Sequence, residues 1–268
     1  MLEVDEDRRD DRLPGLLSLP PTIVSLLDED PDLGQGLNPA EFEHARHTLV
    51  AQVENLAAGP WEPCDRPGAL GLLVLSGLVV RELRLGAGAR YAELLGPGDV
   101  LRPWQDEGEQ ALLPWSSAWR VLEHARVAML GRRVARLAAR WPQVTENLTA
   151  RALERARRQS LAASIPNVVR IQDRLVVLFL HLAERWGHVT RDGIVVRLPL
   201  THEILGRLTG ARRPSVTTSL TALGLRGVIV RNATDEWLLG PAIHDEAERI
   251  LTGRVVELDQ RGPVAIDA

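Results

Sequence analysis

Lysine is absent from this chain: all 32 basic residues are arginine. A replacement that complete exceeds what any one site requires, so it reflects a coding bias toward GC-rich codons and assigns no function by itself. Cysteine is nearly absent as well. The single Cys64 excludes an internal disulfide and an iron-sulfur cluster held by four thiolates of one chain, which leaves a lone buried thiol as the expectation. No run approaches the ~18 uninterrupted apolar residues of a membrane span. The acidic start MLEVDEDRRDDR also lacks the basic and apolar regions of a signal peptide, so a cytoplasmic protein with no membrane partner is expected. Aromatics are few, at 4%, but seven of them are Trp against two Phe and one Tyr.

At 268 residues and 45% hydrophobic content, the chain can bury a good core and is expected to form two domains joined by a connector. Its net charge of −4 hides a steep gradient. Residues 1–130 hold 11 Arg and 22 acids, residues 131–231 hold 18 Arg and 6 acids, and residues 232–268 hold 3 Arg and 8 acids. The balances of −11, +12 and −5 leave a strongly basic middle that can exchange its counterions for a phosphate backbone. Several of these arginines, such as Arg155, Arg157 and Arg158, read more plainly as a solvated helix surface.

Along the chain, residues 1–59 form an N-terminal extension, mostly helical after a disordered first dozen residues, with AEFEHARHTLVAQVENLA as its clearest amphipathic stretch. From Ala69 the texture changes to short apolar runs, LGLLVLSGLVVREL and YAELLGPGDVL, broken by Gly and Pro like strands joined by turns. SSAWRVLEHARVAML adds two more candidate strands, so residues 60–130 read as a small β-barrel or jelly roll. Residues 131–166 supply a short helix and then, after Pro142, a Gly- and Pro-free helix of about six turns. Val144, Leu148, Ala152 and Ala156 recur by four along it and offer a dimerisation stripe. Another helix is expected from Asn167, with Ile171, Leu175, Leu178, Phe179, Leu182 and Trp186 on its apolar face and Gly187 as its stop.

Residues 198–239, within a unit spanning 167–243, carry the most informative pattern: a short strand, two helices at a tight turn and a β-hairpin, together a winged helix-turn-helix. Thr201 caps the first helix and Gly210 ends it in the left-handed conformation. The second starts near Arg213 with Pro214 in its first turn; Val216, Leu220 and Leu223 face inward, and Gly227 ends it. Arg213, Ser215, Thr217, Thr218 and Thr221 make its other face polar, the composition of a helix lying in a major groove. Arg212 stands where a cap would, and Arg231 with the NATDE turn forms a wing, so both are candidates for phosphate contacts. Thr201 at the first helix start joins this DNA-contacting set. The acidic tail 244–268 has no assigned role.

This order of β-roll, long helix and winged helix, with LPLTHEILGRLTGARRPSVTTSLTALGLRGVI as its most specific part, resembles the cyclic-AMP receptor protein and fumarate-nitrate regulator (CRP/FNR) family of bacterial transcription factors over residues 69–240. VLSGLVV, followed 21 residues after Gly77 by Gly98 of LGPGDVL, is similar to the turn glycines of the family's sensory roll. The resemblance implies an α+β fold, a homodimer on double-stranded DNA, RNA polymerase as a further partner, and Arg213 as the guanine-reading residue. Thr218 replaces a second base-reading Arg of many members, which implies a different half-site. VLRPWQDEGEQALLPW departs from the family's cyclic-nucleotide cassette, so cyclic AMP is not expected to bind.

Other candidates have plainer readings. His44 and His47 lie one turn apart without a further ligand pair, so no metal is expected. Arg102 reads as a surface or salt-bridge residue, and His124 alone is weak ground for haem, so no cofactor is expected. Trp61, Trp104, Trp115 and Trp119 either line an effector pocket or fill the roll's core. No Ser/His/Asp set, metal triad or phosphate-cradling Gly loop indicates an enzyme. The rival to a DNA-binding regulator is a winged-helix adaptor that contacts protein instead of bases.

Overall fold

The computed structural model describes residues 22–64, 66, 68–86, 89–105 and 115–260. The expected disordered start lies outside these residues, as does most of the divergent stretch after Arg102. The chain is an α+β fold in which a β-roll and a winged helix-turn-helix are joined by a long helix.

The roll's sheet contains β1 (Thr22–Ser25), β2 (Val50–Leu56), β3 (Gly59–Trp61), β4 (Gly71–Leu85), β5 (Ala89–Leu95), β6 (Val100–Leu101) and β7 (Trp115–Leu130). Its order is β1-β2-β7-β4-β5, with β3 also on β7 and β6 on β4. A one-turn helix, α1 (Leu26–Glu29), follows β1. The helix expected through Leu56 is cut short. Helix α2 (Pro39–Thr48) opens on an Asn38–Glu41 capping box, and its chain turns at Leu49. Beyond it, Ala51 and Val53 point inward on alternate positions of β2. Period-two burial won over the helical period, because β2 gains β1 on one side and β7 on the other.

SSAWRVLEHARVAML lies, with Trp115 before it, in one 16-residue strand, β7, not two. It pairs along nearly the whole of β4, with the register shifting between Val74 and Val79, around Gly77. Gly77 is thus a bulge residue rather than a turn: its φ is +84°, and a Cβ there would come within 2.3 Å of the His124 carbonyl oxygen. Trp119 is buried with Trp61 and Trp104 packed on the same core, so three of the four tryptophans fill the roll. Cys64 is exposed, against the expectation of a buried thiol.

After β7 come α3 (Arg132–Ala138) and the 23-residue α4 (Pro142–Ser164). The expected stripe divides: Val144 and Leu148 pack on the roll's own core, whereas Ala152 and Ala156 are exposed. Arg155 and Arg158 are not solvated surface. Arg155 grips Glu93 of β5 at 2.8 Å and Arg158 grips Asp99 at 2.7 Å; of the three only Arg157 is exposed. Asn167 closes a 3-10 turn, and the next helix, α5 (Ile171–Trp186), starts four residues later. Gly187 ends α5 in extended backbone, and its need is steric: a Cβ would meet the Ala183 carbonyl oxygen at 2.4 Å.

A second sheet then forms from β8 (Gly187–Thr190), β9 (Gly193–Arg197), β10 (Ile229–Arg231) and β11 (Glu236–Leu239), in the order β10-β11-β9-β8. The short strand expected at Leu198–Leu200 is displaced to β9. Helices α6 (His202–Thr209) and α7 (Arg213–Leu225) lie between β9 and β10. The tail is helical from its start: α8 (Ile243–Gln260) buries Ile243, and its Arg249 bonds Asp173 of α5 at 2.6 Å. Leu78, Val80 and Ala92 of the roll share one core with Leu205, Leu220 and Trp237 of the winged unit.

Gly77→Ala should destabilise the protein by about 1–3 kcal/mol, because it combines a left-handed backbone with a clash against main chain. Urea unfolding followed by circular dichroism measures this; an unchanged midpoint would show that the bulge relaxes freely.

Candidate nucleic-acid interface

Helix α6 opens where the Ile204 amide donates to the Thr201 hydroxyl at 3.2 Å, and it closes at Gly210 with φ +65°. Gly206 makes the turn tight, since a Cβ there would lie 2.7 Å from the Ala211 carbonyl oxygen, leaving no room for a side chain between the helices. Helix α7 buries Val216, Ser219, Leu220 and Leu223. That leaves Arg213, Thr217, Thr218 and Thr221 exposed on one face, while Ser215 is half-buried.

The start of α7 is electrostatically unusual. Arg212 is its N-cap residue but makes no side-chain cap bond, and no acidic residue occupies the first turn. Two arginines therefore stand at the positive end of the helix dipole, an arrangement that repels itself until an anion arrives. No hydrogen bond or carboxylate holds the Arg212 or Arg213 guanidinium among the described residues. Thr201, His202, Glu203, Arg213 and Arg231 line an open groove of ≈ 410 Å³.

The three exposed threonine hydroxyls donate one turn back along the helix: Thr217 to the Arg213 carbonyl, Thr218 to that of Pro214, and Thr221 to that of Thr217. Their oxygens and methyl groups remain for an outside partner, suited to base amino groups and thymine methyls. Arg231 is held differently. Its guanidinium donates to the Ala233 and Thr234 carbonyls and stacks 5.1 Å over Trp237, so the wing fixes its direction while leaving it exposed.

His202 had no sequence signal beyond its place after the cap. Its Nδ1 lies 2.9 Å from the Thr217 hydroxyl, which couples the two helices of the motif. Burial, then the charges of Arg231 and Arg213, hold its pKa below the usual histidine value. The same arginines would attract phosphate. Of the other candidates, His44 and His47 are exposed, with His44 edge-on to Trp141, and His124 is exposed on β7. Arg102 donates to the Ala69 carbonyl.

Residues 173–238 match the model of the Crp-like helix-turn-helix domain. The reading unit is a Crp-like helix-turn-helix domain. No curated protein matches the sequence. Among solved structures, FixK2 from Bradyrhizobium japonicum is similar at 19% identity and a TM-score of 0.55, covering 76% of this chain and 96% of that one. TTHB099, a transcriptional regulator of the CRP family from Thermus thermophilus, is 21% identical with a TM-score of 0.55, covering 73% and 96%. A CooA mutant from Carboxydothermus hydrogenoformans is 17% identical with a TM-score of 0.56, covering 75% and 88%. The chain therefore has the CRP/FNR fold through both the roll and the reading unit, and the matched domain supports a DNA-binding transcription regulator.

Arg213→Ala removes a positive neighbour of His202, so the His202 pKa should rise. An NMR titration of the imidazole Cε1 proton reads this directly; a fall or no change would show that Arg213 does not face the ring in solution.

Proposed function

We propose that the chain is a sequence-specific transcription regulator that binds double-stranded DNA as a homodimer, with α7 in the major groove. The uncapped, arginine-bearing start of α7 beside the open groove carries this reading, because an anionic backbone relieves the repulsion there. Arg213 pairs bidentately with guanine O6 and N7, and Thr217, Thr218 and Thr221 read neighbouring base edges. Ser215, being half-buried, orients the helix start. Arg212, Thr201 and Arg231 face phosphates.

The dimer forms along the face of α4 that the roll leaves open. Ala152 and Ala156 are exposed there and Leu153 is 67% exposed, a large apolar residue with no cover in the single chain. Two such faces set the reading helices to half-sites ~34 Å apart. The roll has lost the cyclic-nucleotide cassette, and three of its four tryptophans pack on its core. The protein works in the cytoplasm, RNA polymerase is a further partner, and no catalytic role is assigned.

Selection of random duplexes by the purified protein, with no added ligand, should enrich a two-fold motif. Arg213→Ala should then cost about 1–3 kcal/mol on that motif while leaving nonspecific binding nearly intact. Equal losses on both DNAs, or no enrichment with the native protein, would favour a protein-contacting adaptor. Ala156→Glu should place like charges across the helix pair, giving a monomer by sedimentation equilibrium and losing the two-fold site; a dimer that persists would move the interface off this face.

A further inference from the structure

We infer that His202 is a further contact to the DNA backbone and that binding loads it with a proton, so that recognition is coupled to pH. The coupling rests on the reading of α7 as the helix in the major groove, and it adds to that reading a residue of α6 and a regulatory input.

The geometry assigns the one proton of the neutral ring. His202 is half-buried at the start of α6, and its Nδ1 lies 2.9 Å from the Thr217 hydroxyl oxygen. Thr217 has a single hydroxyl hydrogen and donates it to the Arg213 carbonyl at 3.0 Å. Toward the imidazole its oxygen can then only accept, so Nδ1 is the donor and Nε2 carries a bare lone pair. The opposite tautomer would need the hydroxyl to leave the carbonyl one turn back. No bond holds Nε2 among the described residues, and His202 lines the open groove with Thr201, Glu203, Arg213 and Arg231.

A phosphate oxygen brought into this groove meets that lone pair, and two acceptors repel unless a hydrogen lies between them. Protonation of Nε2 turns the repulsion into a charge-assisted bond and leaves the Nδ1–Thr217 contact in place. The surrounding charges decide when this happens. Arg213 acts on the ring from α7 and Arg231 from the wing, while on α6 itself Glu203 accepts from Arg207 at 2.5 Å. In the free protein, burial and then the two arginines hold the imidazole below its usual pKa. DNA reverses this balance: it gives both guanidiniums anionic partners and sets negative charge beside the ring, which raises the pKa in the complex. The added affinity is therefore complete below the free-state value and is lost as pH rises through the value in the complex.

The full chain is titrated with the duplex that selection enriches, at constant ionic strength, by fluorescence anisotropy from about pH 5 to about pH 8. Calorimetry in buffers of different ionisation enthalpy counts the protons. Affinity should strengthen about tenfold from about pH 8 to about pH 6, with uptake of about one proton per reading unit. His202→Gln, which keeps a neutral donor near the Nε2 position, should flatten the profile and remove that proton. His44→Gln, on α2, should leave both unchanged. Thr217→Val frees the choice of tautomer and should also reduce the uptake. Binding without proton uptake, proton release, or equal uptake in native protein and His202→Gln would overturn the coupling and leave the reading of α7 standing. Failure to bind any duplex across this pH range would overturn both.

Discussion

Asp99 is one carboxylate serving three parts of the molecule. It belongs to a turn of the roll, yet its oxygens are taken by Arg158 of the connector and Arg185 of the reading unit's first helix. The turn is itself fixed to β4, since the Gly98 amide donates to the Val74 carbonyl and the Val74 amide to that of Asp99. A charge this deeply buried is tolerated only with its partners in place, and removing one partner of such a pair commonly costs about 3–5 kcal/mol. Glu82 acts in parallel. It is buried on β4 and paired to Arg207 of α6, beside the apolar core that the roll and the winged unit share. The orientation of α7 relative to the roll thus depends on ion pairs whose partners lie far apart in sequence.

The reading unit was largely legible in the sequence because its signals are local. Thr201, Gly210 and Pro214 act within their own turns, and the Val216, Leu220, Leu223 spacing marks the buried side of α7 without reference to any other element. The roll was legible in type but not in extent. Residues 50–56 sit in a stretch whose apolar positions satisfy both a helical and an alternating period, and only pairing with β7 decides between them. The long β4 and β7 were blurred for a related reason: Gly77 reads as a turn residue, whereas its partner across the sheet turns it into a bulge.

Arginines were the least legible residues. Arg155, Arg157 and Arg158 occupy one helical stretch and look alike in sequence, yet two of them end on carboxylates of the roll and the third faces solvent. Which guanidinium is buried depends on Glu93 and Asp99, each about 60 residues away along the chain. The acidic tail had the same difficulty. Its Glu246 and Arg249 acquire meaning only beside Arg226 and Asp173, which clamp α8 to the reading unit.

The contrast between these paired arginines and those at the start of α7 bears on function. A chain that supplies carboxylates to Arg151, Arg155, Arg158, Arg185, Arg207 and Arg249 has enough acid to neutralise Arg212 and Arg213 as well, with 36 Asp and Glu in all. It places none in the first turn of α7, where a cap or an acid would stabilise the helix by roughly 0.5–1 kcal/mol. Forgoing that stabilisation leaves the helix start positive and open. Local rules are broken in this way where an outside partner completes the interaction, and in the proposed complex a phosphate backbone would supply the missing negative charge at a helix whose exposed face also carries side chains suited to base edges.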